Sequence, residues 1–341
     1  MAWYSIESDA TGYMVASGSE YRVDALKRGS LFLKEPRACR VYSVFPHAIN
    51  LEVSDSPLLY TLVNQDILSH PMAALVSKSS YGTFTNLGIK NGLAGYFDGS
   101  ILALGSRLSF NFTSIRQSRS CDEQIPGFSL TPSELREQLA VAGKTLERIQ
   151  KQRNTELRWD PDKGTAYYML SGSGTVWTPF SEGAASLVQA LYSEKPSEAL
   201  KASLQLIGFG QGLTPSGDDF LCGFILALNM CLQSQWMVPY ISKLTLETWL
   251  WGLSAELGFE PAASIYSTRQ ELTSSVSKTF LYLAIHNKFS NLLLHIGRSF
   301  TSDTASWLSL LTLLNSYGHS SGLDSATGFL YGMAAVEKRR N

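Results

Sequence analysis

Hydrophobic residues recur at every second position in the first third of the chain, between residues 39 and 113. Ile49, Leu51 and Val53 follow this period, which places alternate side chains of a strand on one face of a sheet. Asp98-Gly99 separates two apolar runs, and Asp-Gly is favoured at the two central positions of a type I′ hairpin turn. The pattern predicts a β-rich domain over residues 1–115.

The hydrophobic period changes after the β-rich part of the chain. Thr131 is placed as the N-cap of an amphipathic helix, Pro132 as its first residue, and Glu134 completes a capping box with Thr131. A passage rich in glycine and serine follows at residues 160–183. We therefore expect a linker and one amphipathic helix over residues 116–183.

Helical periodicity dominates the remainder of the chain. The predicted helices span residues 184–206, 218–233, 241–257, 268–286, 289–300, 302–316 and 322–338. The expected fold class is therefore α+β, in which an N-terminal β-rich domain precedes a mostly α-helical C-terminal domain over residues 184–341.

Composition and charge argue against several classes of partner. The 28 basic and 29 acidic residues give a net charge near zero, so nucleic acid is not an expected partner. The longest apolar runs are shorter than the roughly 20 residues that span a bilayer, and the N-terminus lacks a signal-peptide pattern, so no membrane association is expected. Four cysteines without a CxxC pair favour reduced thiols and a cytoplasmic location.

The segment GFGQGLTPSGDDFLCGF, residues 208–224, places glycines and two aspartates at the start of an apolar helix. Gly217 costs about 1 kcal/mol relative to alanine in a helix, so helix stability does not explain it. Asp218 and Asp219 suit the positive end of the helix dipole, and Ser216 can pair with Asp219 as in a capping box, which explains one acid. A second buried carboxylate needs a cation, a metal or a donor-rich ligand nearby.

Glycines at a helix start also allow main-chain N–H groups to approach a small anion such as phosphate. Neither a Walker A sequence nor a GxGxxG fingerprint is present, so a nucleoside triphosphatase is not indicated. A purely structural turn is the alternative. The candidate ligand-binding residues of this segment are Gly210, Gly212, Thr214, Ser216 and Gly217.

A second stretch near the carboxyl end repeats the spacing of the first. Residues 216–223 and 321–328 share the pattern S-G-x-D-x-x-x-G, and a further small residue follows one turn later in both. Such a stripe of small residues allows two helices to approach closely. We hypothesise that the two helices pack together and bring Asp219 and Asp324 to one site; two unrelated glycine-rich helix starts are the alternative.

The sequences LTPSGDDFLCGF and HSSGLDSATGFLYG together resemble the signature of a bacterial family long described as a domain of unknown function. This family includes AllH, a subunit of oxamate carbamoyltransferase in allantoin catabolism, a part of purine catabolism. The resemblance extends from about residue 41 to residue 332 and includes STRQELTSSVSKTFLYLA. It implies a multi-subunit enzyme that converts a carbamoyl-amide and phosphate to carbamoyl phosphate and an amide acid. It also implies partner subunits, one of which resembles an acyl-CoA synthetase.

Phosphate and carbamoyl phosphate chemistry needs hydrogen-bond donors for anions and neutralisation of charge. Four side chains at the two helix starts are the candidates for catalysis: Asp218, Asp219, Asp324 and His319. Asp219 and Asp324 are also the candidates to hold a Mg²⁺ ion or to orient an amide nitrogen. The ligand-binding set for a small anionic substrate, such as carbamoyl phosphate or oxamate, is extended by Ser321, Gly322 and Arg269.

Two other functions fit the same residues. One is a metal-dependent hydrolase, in which paired aspartates on helices activate water. The other is a non-catalytic assembly subunit whose glycines only permit tight helix packing.

Overall fold

The computed structural model describes residues 21–78, 82–115, 122–170, 174–233, 241–259, 272–314 and 320–339. These residues belong to two compact units. One contains residues up to 66 together with 72–115, and the other contains residues 67–71 and the chain from 122 onwards. Each unit has a hydrophobic core of its own.

In the described residues, eight strands of the first unit close into a barrel. Their bounds are β1 Tyr21–Arg28, β2 Arg37–Val44, β3 Ala48–Val53, β4 Tyr60–Val63, β5 Ala73–Val76, β6 Ala94–Phe97, β7 Ile101–Leu104 and β8 Leu108–Asn111. The order around the barrel is β1-β5-β4-β3-β2-β6-β7-β8, and β8 closes it by parallel pairing with β1. Ile49, Leu51 and Val53 are buried in its core, as their alternation predicts.

The predicted hairpin joins β6 and β7, but its turn lies one residue later than expected. The Asp98 N–H donates to the Ile101 carbonyl (3.0 Å), so the central residues are Gly99 and Ser100. Gly99 has a positive φ of 100° and Ser100 does not, which is incompatible with a type I′ turn. The Asp98 carboxylate accepts hydrogen bonds from the N–H groups of Ser100 (2.7 Å) and Ile101 (2.6 Å), and these bonds hold the turn.

The second unit is mostly helical, so the α+β fold class is confirmed. Its helices are α1 Pro132–Arg153, α2 Thr178–Tyr192, α3 Pro196–Leu206, α4 Ser216–Gln233, α5 Lys243–Glu256, α6 Ser275–Ile285, α7 Asn291–Ser302, α8 Thr304–Leu314 and α9 Ser321–Arg339. Three short strands form an antiparallel sheet in the order β11-β10-β9, and they are β9 Leu157–Asp160, β10 Thr165–Met169 and β11 Val176–Trp177. Over the described residues, none of the helices has both the length and the apolar character that crossing a bilayer requires.

The start of α1 confirms the predicted capping box. The N–H of Thr131 donates to the Glu134 carboxylate (2.7 Å), and the Glu134 N–H donates to the Thr131 hydroxyl (3.4 Å). Two main-chain donors at the helix start are therefore satisfied by side chains.

Three segments differ from the sequence-based expectation. The helix expected at 268–286 begins at Ser275, because the Ser274 side chain caps it by accepting a hydrogen bond from the Ser277 N–H. The passage at 160–183 contains β10, β11 and the first residues of α2, and alternate residues of β10 are buried in the core of the second unit. The single helix expected at 184–206 is divided into α2 and α3. Glu194 has a left-handed φ of 56°, and Pro196 starts the next helix, where its missing N–H costs nothing.

Candidate functional site

Helices α4 and α9 are in direct backbone contact. A Cβ atom built on Gly223 would lie 1.9 Å from the carbonyl oxygen of Ser325, and one on Gly328 would lie 1.9 Å from the carbonyl oxygen of Phe220. Only glycine allows this separation, so the two glycines that the repeated pattern singled out mark the contact. The hypothesis that the two helices pack together is confirmed.

Each motif serine faces the aspartate of the other motif. The Ser216 side chain, at the start of α4, lies beside the Asp324 carboxyl of α9, and the Ser321 side chain, at the start of α9, lies beside the Asp219 carboxyl of α4. Ser216 is the first residue of α4 and not its cap, so the capping-box pairing of Ser216 with Asp219 does not form. The charge of Asp324 also acts on Asp219, which means that the two carboxyls are neighbours.

Both motif aspartates are buried. The exposed fraction is 0 % for Asp324 and 7 % for Asp219. Burial raises the pKa of Asp324 to about 7, against the opposing effect of Ser320 and Ser216. Burial and then the charge of Asp324 raise the pKa of Asp219 well above its usual range. Folding therefore favours the protonated form of both carboxyls.

Three carboxyl oxygens of this pair lack a hydrogen bond from the described part of the chain. They are Oδ2 of Asp219 and both Oδ1 and Oδ2 of Asp324. The Ser216 and Ser320 hydroxyls are near enough to lower the pKa of Asp324, but neither meets its oxygens with the distance and angle of a hydrogen bond. These hydroxyls are therefore neighbours of the Asp324 carboxyl and not its hydrogen-bond donors.

Asp218, the other member of the aspartate pair in α4, has a different environment. Its Oδ1 accepts a hydrogen bond from the Gly208 N–H (2.8 Å), and its Oδ2 accepts one from the Thr273 hydroxyl. Burial raises the pKa of Asp218, and these two hydrogen bonds oppose that effect. Asp218 thus connects the glycine-rich loop before α4 with the chain just before α6, and its predicted catalytic role stays a prediction.

The glycines of the loop before α4 and of the first turn of α4 are needed for two reasons: a positive φ angle and close contact with another part of the backbone. Gly208, Gly210 and Gly212 all have positive φ, between 73° and 109°. A Cβ atom on Gly208 would lie 2.3 Å from the Leu272 carbonyl oxygen, and one on Gly217 would lie 1.9 Å from that of Leu206. Close contact with the chain's own backbone therefore explains why Gly208 and Gly217 carry no side chain. A Cβ atom on Gly212 would have no neighbour within 4 Å among the described residues.

Four predicted site residues remain: Thr214, Gly322, Arg269 and His319. The Thr214 side chain faces Asp219, and Gly322 lies against the Leu314 side chain, which is 3.0 Å from a Cβ built on that glycine. Arg269 and His319 lie outside the described residues.

Glu156 and Tyr168 form a further acidic contact of the site that sequence reasoning missed. The Tyr168 hydroxyl donates to Oε2 of Glu156, and both groups interact electrostatically with Asp324. Burial and this carboxylate raise the pKa of Tyr168. Glu156 lies just before β9 and Tyr168 in β10, far from either motif in sequence, and no spacing rule connects them.

Over the described residues, no group of three or more His, Cys, Asp or Glu side chains is arranged to hold a metal ion. Asp219 and Asp324 supply two carboxyls, and hydroxyl groups surround them. Mg²⁺ binding by this pair stays a prediction.

Comparison with known families agrees with this arrangement. Residues 206–333 match the family model described as oxamate carbamoyltransferase subunit AllH, and this match contains both glycine-aspartate motifs. Residues 15–118 match the model of the AllH family N-terminal domain, and this match contains the barrel. No solved structure gives a significant match. Because the two family matches together cover most of its length, the chain belongs to the AllH family.

Proposed function

We propose that the chain is a subunit of a carbamoyltransferase that resembles oxamate carbamoyltransferase, and that its substrate lies at the start of α4 and α9. We call this place the carboxyl head and define it by Asp219, Asp324 and the neighbouring hydroxyls of Thr214, Ser216 and Ser321. The observation that carries the proposal is the set of buried carboxyl oxygens that receive no hydrogen bond from the described part of the chain. Buried polar atoms cost free energy when unpaired, and a bound substrate would supply the missing partners.

The glycine-rich loop provides the second part of the site. Gly212 lies in an exposed stretch with open space at its Cα, and Thr214, two residues later, faces Asp219. Main-chain N–H groups of such a glycine-rich loop favour anions. The anionic end of a small substrate, such as the carboxylate of oxamate or the phosphate of carbamoyl phosphate, would lie here.

The proposed reaction transfers a carbamoyl group between an amide nitrogen and phosphate. The bond between the carbamoyl carbon and the amide nitrogen breaks, a phosphate oxygen forms the new bond to carbon, and the released nitrogen takes up a proton. Asp219 and Asp324 are suited to hold and return that proton, because a catalytic acid works best when its pKa is near the working pH. The pKa of Asp324, about 7, meets this condition.

The proposal includes partner subunits, one of them an acyl-CoA-synthetase-like chain, and a cytoplasmic location. The described cysteines Cys39, Cys222 and Cys231 are buried thiols outside any disulfide, which suits a reducing compartment.

The test is a reconstituted complex of this chain with its partner subunits. The assay is oxamate-dependent release of phosphate from carbamoyl phosphate, with Mg²⁺ or with EDTA. Asp219→Asn and Asp324→Asn should each lower kcat by about 100-fold or more, as loss of a general acid does. The matched control is Asp162→Asn, which changes an exposed aspartate and should leave the rate unchanged.

Other outcomes would favour the alternative functions. Hydrolysis by this chain alone that depends on Mg²⁺ would favour a metal-dependent hydrolase. Full activity of both variants would favour an assembly subunit. One observation supports this candidate: close backbone contacts within the chain explain why Gly217, Gly223 and Gly328 are glycines, without any ligand.

A further inference from the structure

We propose that the carboxyl head recognises the N–H groups of a primary amide, and so distinguishes an amide acid from a dicarboxylate of the same size. This inference rests on the proposed function, because it names the end of the substrate that contacts Asp219 and Asp324. Oxamate and oxalate are the smallest pair of ligands that differ in this way.

The carboxyl head presents hydrogen-bond acceptors to its ligand. Oδ2 of Asp219 and both carboxyl oxygens of Asp324 are buried and have no hydrogen bond from the described residues. The charges that act on Asp219 are those of Asp324 and Asp218, and the charge that acts on Asp324 is that of Glu156. The electrostatic environment therefore disfavours a second anion between these oxygens.

A primary amide has the complementary set of groups. Its nitrogen carries two N–H donors and no charge, so it can donate to one oxygen of Asp219 and one of Asp324. Its carbonyl oxygen can accept from a serine hydroxyl, and Ser216 and Ser321 both lie beside these carboxyls. A carboxylate in the same place brings only acceptors and a negative charge, so it can pair with a protonated carboxyl oxygen but leaves the other buried oxygens unpaired.

The gradient of burial gives the direction in which such a ligand would lie. Gly212 and Leu213 are exposed, Thr214 is half-buried, and Asp219 and Asp324 are buried. The amide end would therefore point inward to the carboxyls, and the carboxylate end would point outward to the main-chain N–H groups of the loop. This orientation places each end of an amide acid next to groups of the opposite hydrogen-bonding character.

The experiment compares three ligands by isothermal titration calorimetry, first with the full chain and then with the reconstituted complex. The ligands are oxamate, oxalate and N,N-dimethyloxamate, which keeps the charge of oxamate but has no N–H donor. Oxamate should bind about 10- to 100-fold more tightly than either of the others, since each of them leaves buried acceptors unpaired.

Asparagine variants place a hydrogen-bond donor where the site now has a carboxyl oxygen. Asp219→Asn and Asp324→Asn replace a carboxyl oxygen by an N–H donor, so the preference for oxamate over oxalate should fall by about tenfold or more in each. Asp162→Asn, on the surface, should keep the wild-type preference.

The outcomes separate this inference from the proposed function. If the complex transfers carbamoyl groups but binds oxalate or N,N-dimethyloxamate as tightly as oxamate, the amide contact is wrong and the proposed function stands. An unchanged preference in both aspartate variants also overturns the amide contact. If oxamate binds selectively but no carbamoyl transfer occurs, the proposed function is wrong while the amide contact stands. Absence of oxamate binding in both the chain and the complex overturns both.

Discussion

The backbone of Gly328 in α9 lies against the backbone of Phe220 in α4, so that a Cβ atom on the glycine would come within 1.9 Å of the Phe220 carbonyl oxygen. The same relationship holds between Gly223 and Ser325 in the opposite direction. Because these contacts fix the separation of the two helices, they also determine the distance between the carboxyl groups at the helix starts.

Gly328→Ala should therefore lower the free energy of unfolding of the second unit by about 3 kcal/mol, since a methyl group cannot fit without moving one helix. Urea unfolding measures this change. Gly127→Ala is the control, because a Cβ atom there has no neighbour within 4 Å and its φ is ordinary, and it should change stability by less than about 1 kcal/mol. Equal stability of the two variants would contradict the close contact.

The Asp324 carboxyl should give the protein a pH-dependent stability. Its pKa rises from 3.8 to about 7 on folding, so between these values the folded state binds more protons than the unfolded state. The free energy of unfolding should then fall as pH rises through this window, by up to about 1.4 kcal/mol per pH unit, and become constant above it.

Asp324→Asn should remove this contribution, so the variant should be more stable than the wild type at pH 8 and should lose that advantage at pH 4. Urea unfolding across this range tests the prediction, and Asp162→Asn should follow the wild-type curve. A wild-type protein that gains stability from pH 4 to pH 7 relative to Asp324→Asn would show the opposite sign.

Substitution by asparagine should change the free energy of unfolding differently at Asp218 and at Asp219, the two adjacent aspartates of α4. Asp218 accepts hydrogen bonds with both oxygens. An asparagine would keep one acceptor for the Gly208 N–H, but its NH2 group would face the Thr273 hydroxyl, which would have to accept where it now donates. Asp218→Asn should therefore cost about 1 to 3 kcal/mol of stability.

Asp219→Asn is the matched comparison, because it removes a carboxyl whose Oδ2 has no hydrogen bond from the described residues. Its stability at neutral pH should be at least that of the wild type. Thermal unfolding of the two variants side by side measures the difference, and a larger loss in Asp219→Asn would mean that this carboxyl has a structural partner.

Gln150 joins three elements in the interior of the second unit. Its side-chain NH2 group donates to the Thr327 hydroxyl (2.8 Å) and to the Leu157 carbonyl (3.1 Å). Its side-chain oxygen accepts from the main-chain N–H of Trp159 (2.8 Å). Gln150→Leu should cost about 1 to 3 kcal/mol, because it takes away the acceptor of the Trp159 main-chain N–H, while the Leu157 carbonyl and the Thr327 hydroxyl each keep one other hydrogen bond.

Gln152→Leu on the exposed face of α1 is the control and should change the free energy of unfolding by less than about 0.5 kcal/mol. A loss of similar size in both variants would mean that leucine disturbs α1 itself and that the hydrogen bonds of Gln150 contribute little.

Local patterns along the chain were sufficient to predict the class of the fold. Alternation at Ile49, Leu51 and Val53 predicted strands, and Thr131 with Glu134 predicted the start of α1, because both signals depend on residues only a few positions apart. The strands of residues 160–183 were missed, since that passage is rich in turn-forming glycine and serine, and its two strands are only five and two residues long.

The sequence by itself determined that two helices carry the same S-G-x-D-x-x-x-G spacing and that their small residues allow close packing. Only the tertiary structure decided what the residues of these motifs contact. The crossing of α4 and α9 exchanges partners, so that Ser216 lies beside Asp324 and not beside Asp219. Folding likewise brought Glu156 and Tyr168 to the same carboxyl, because electrostatic interactions depend on distance in space and not on separation along the chain.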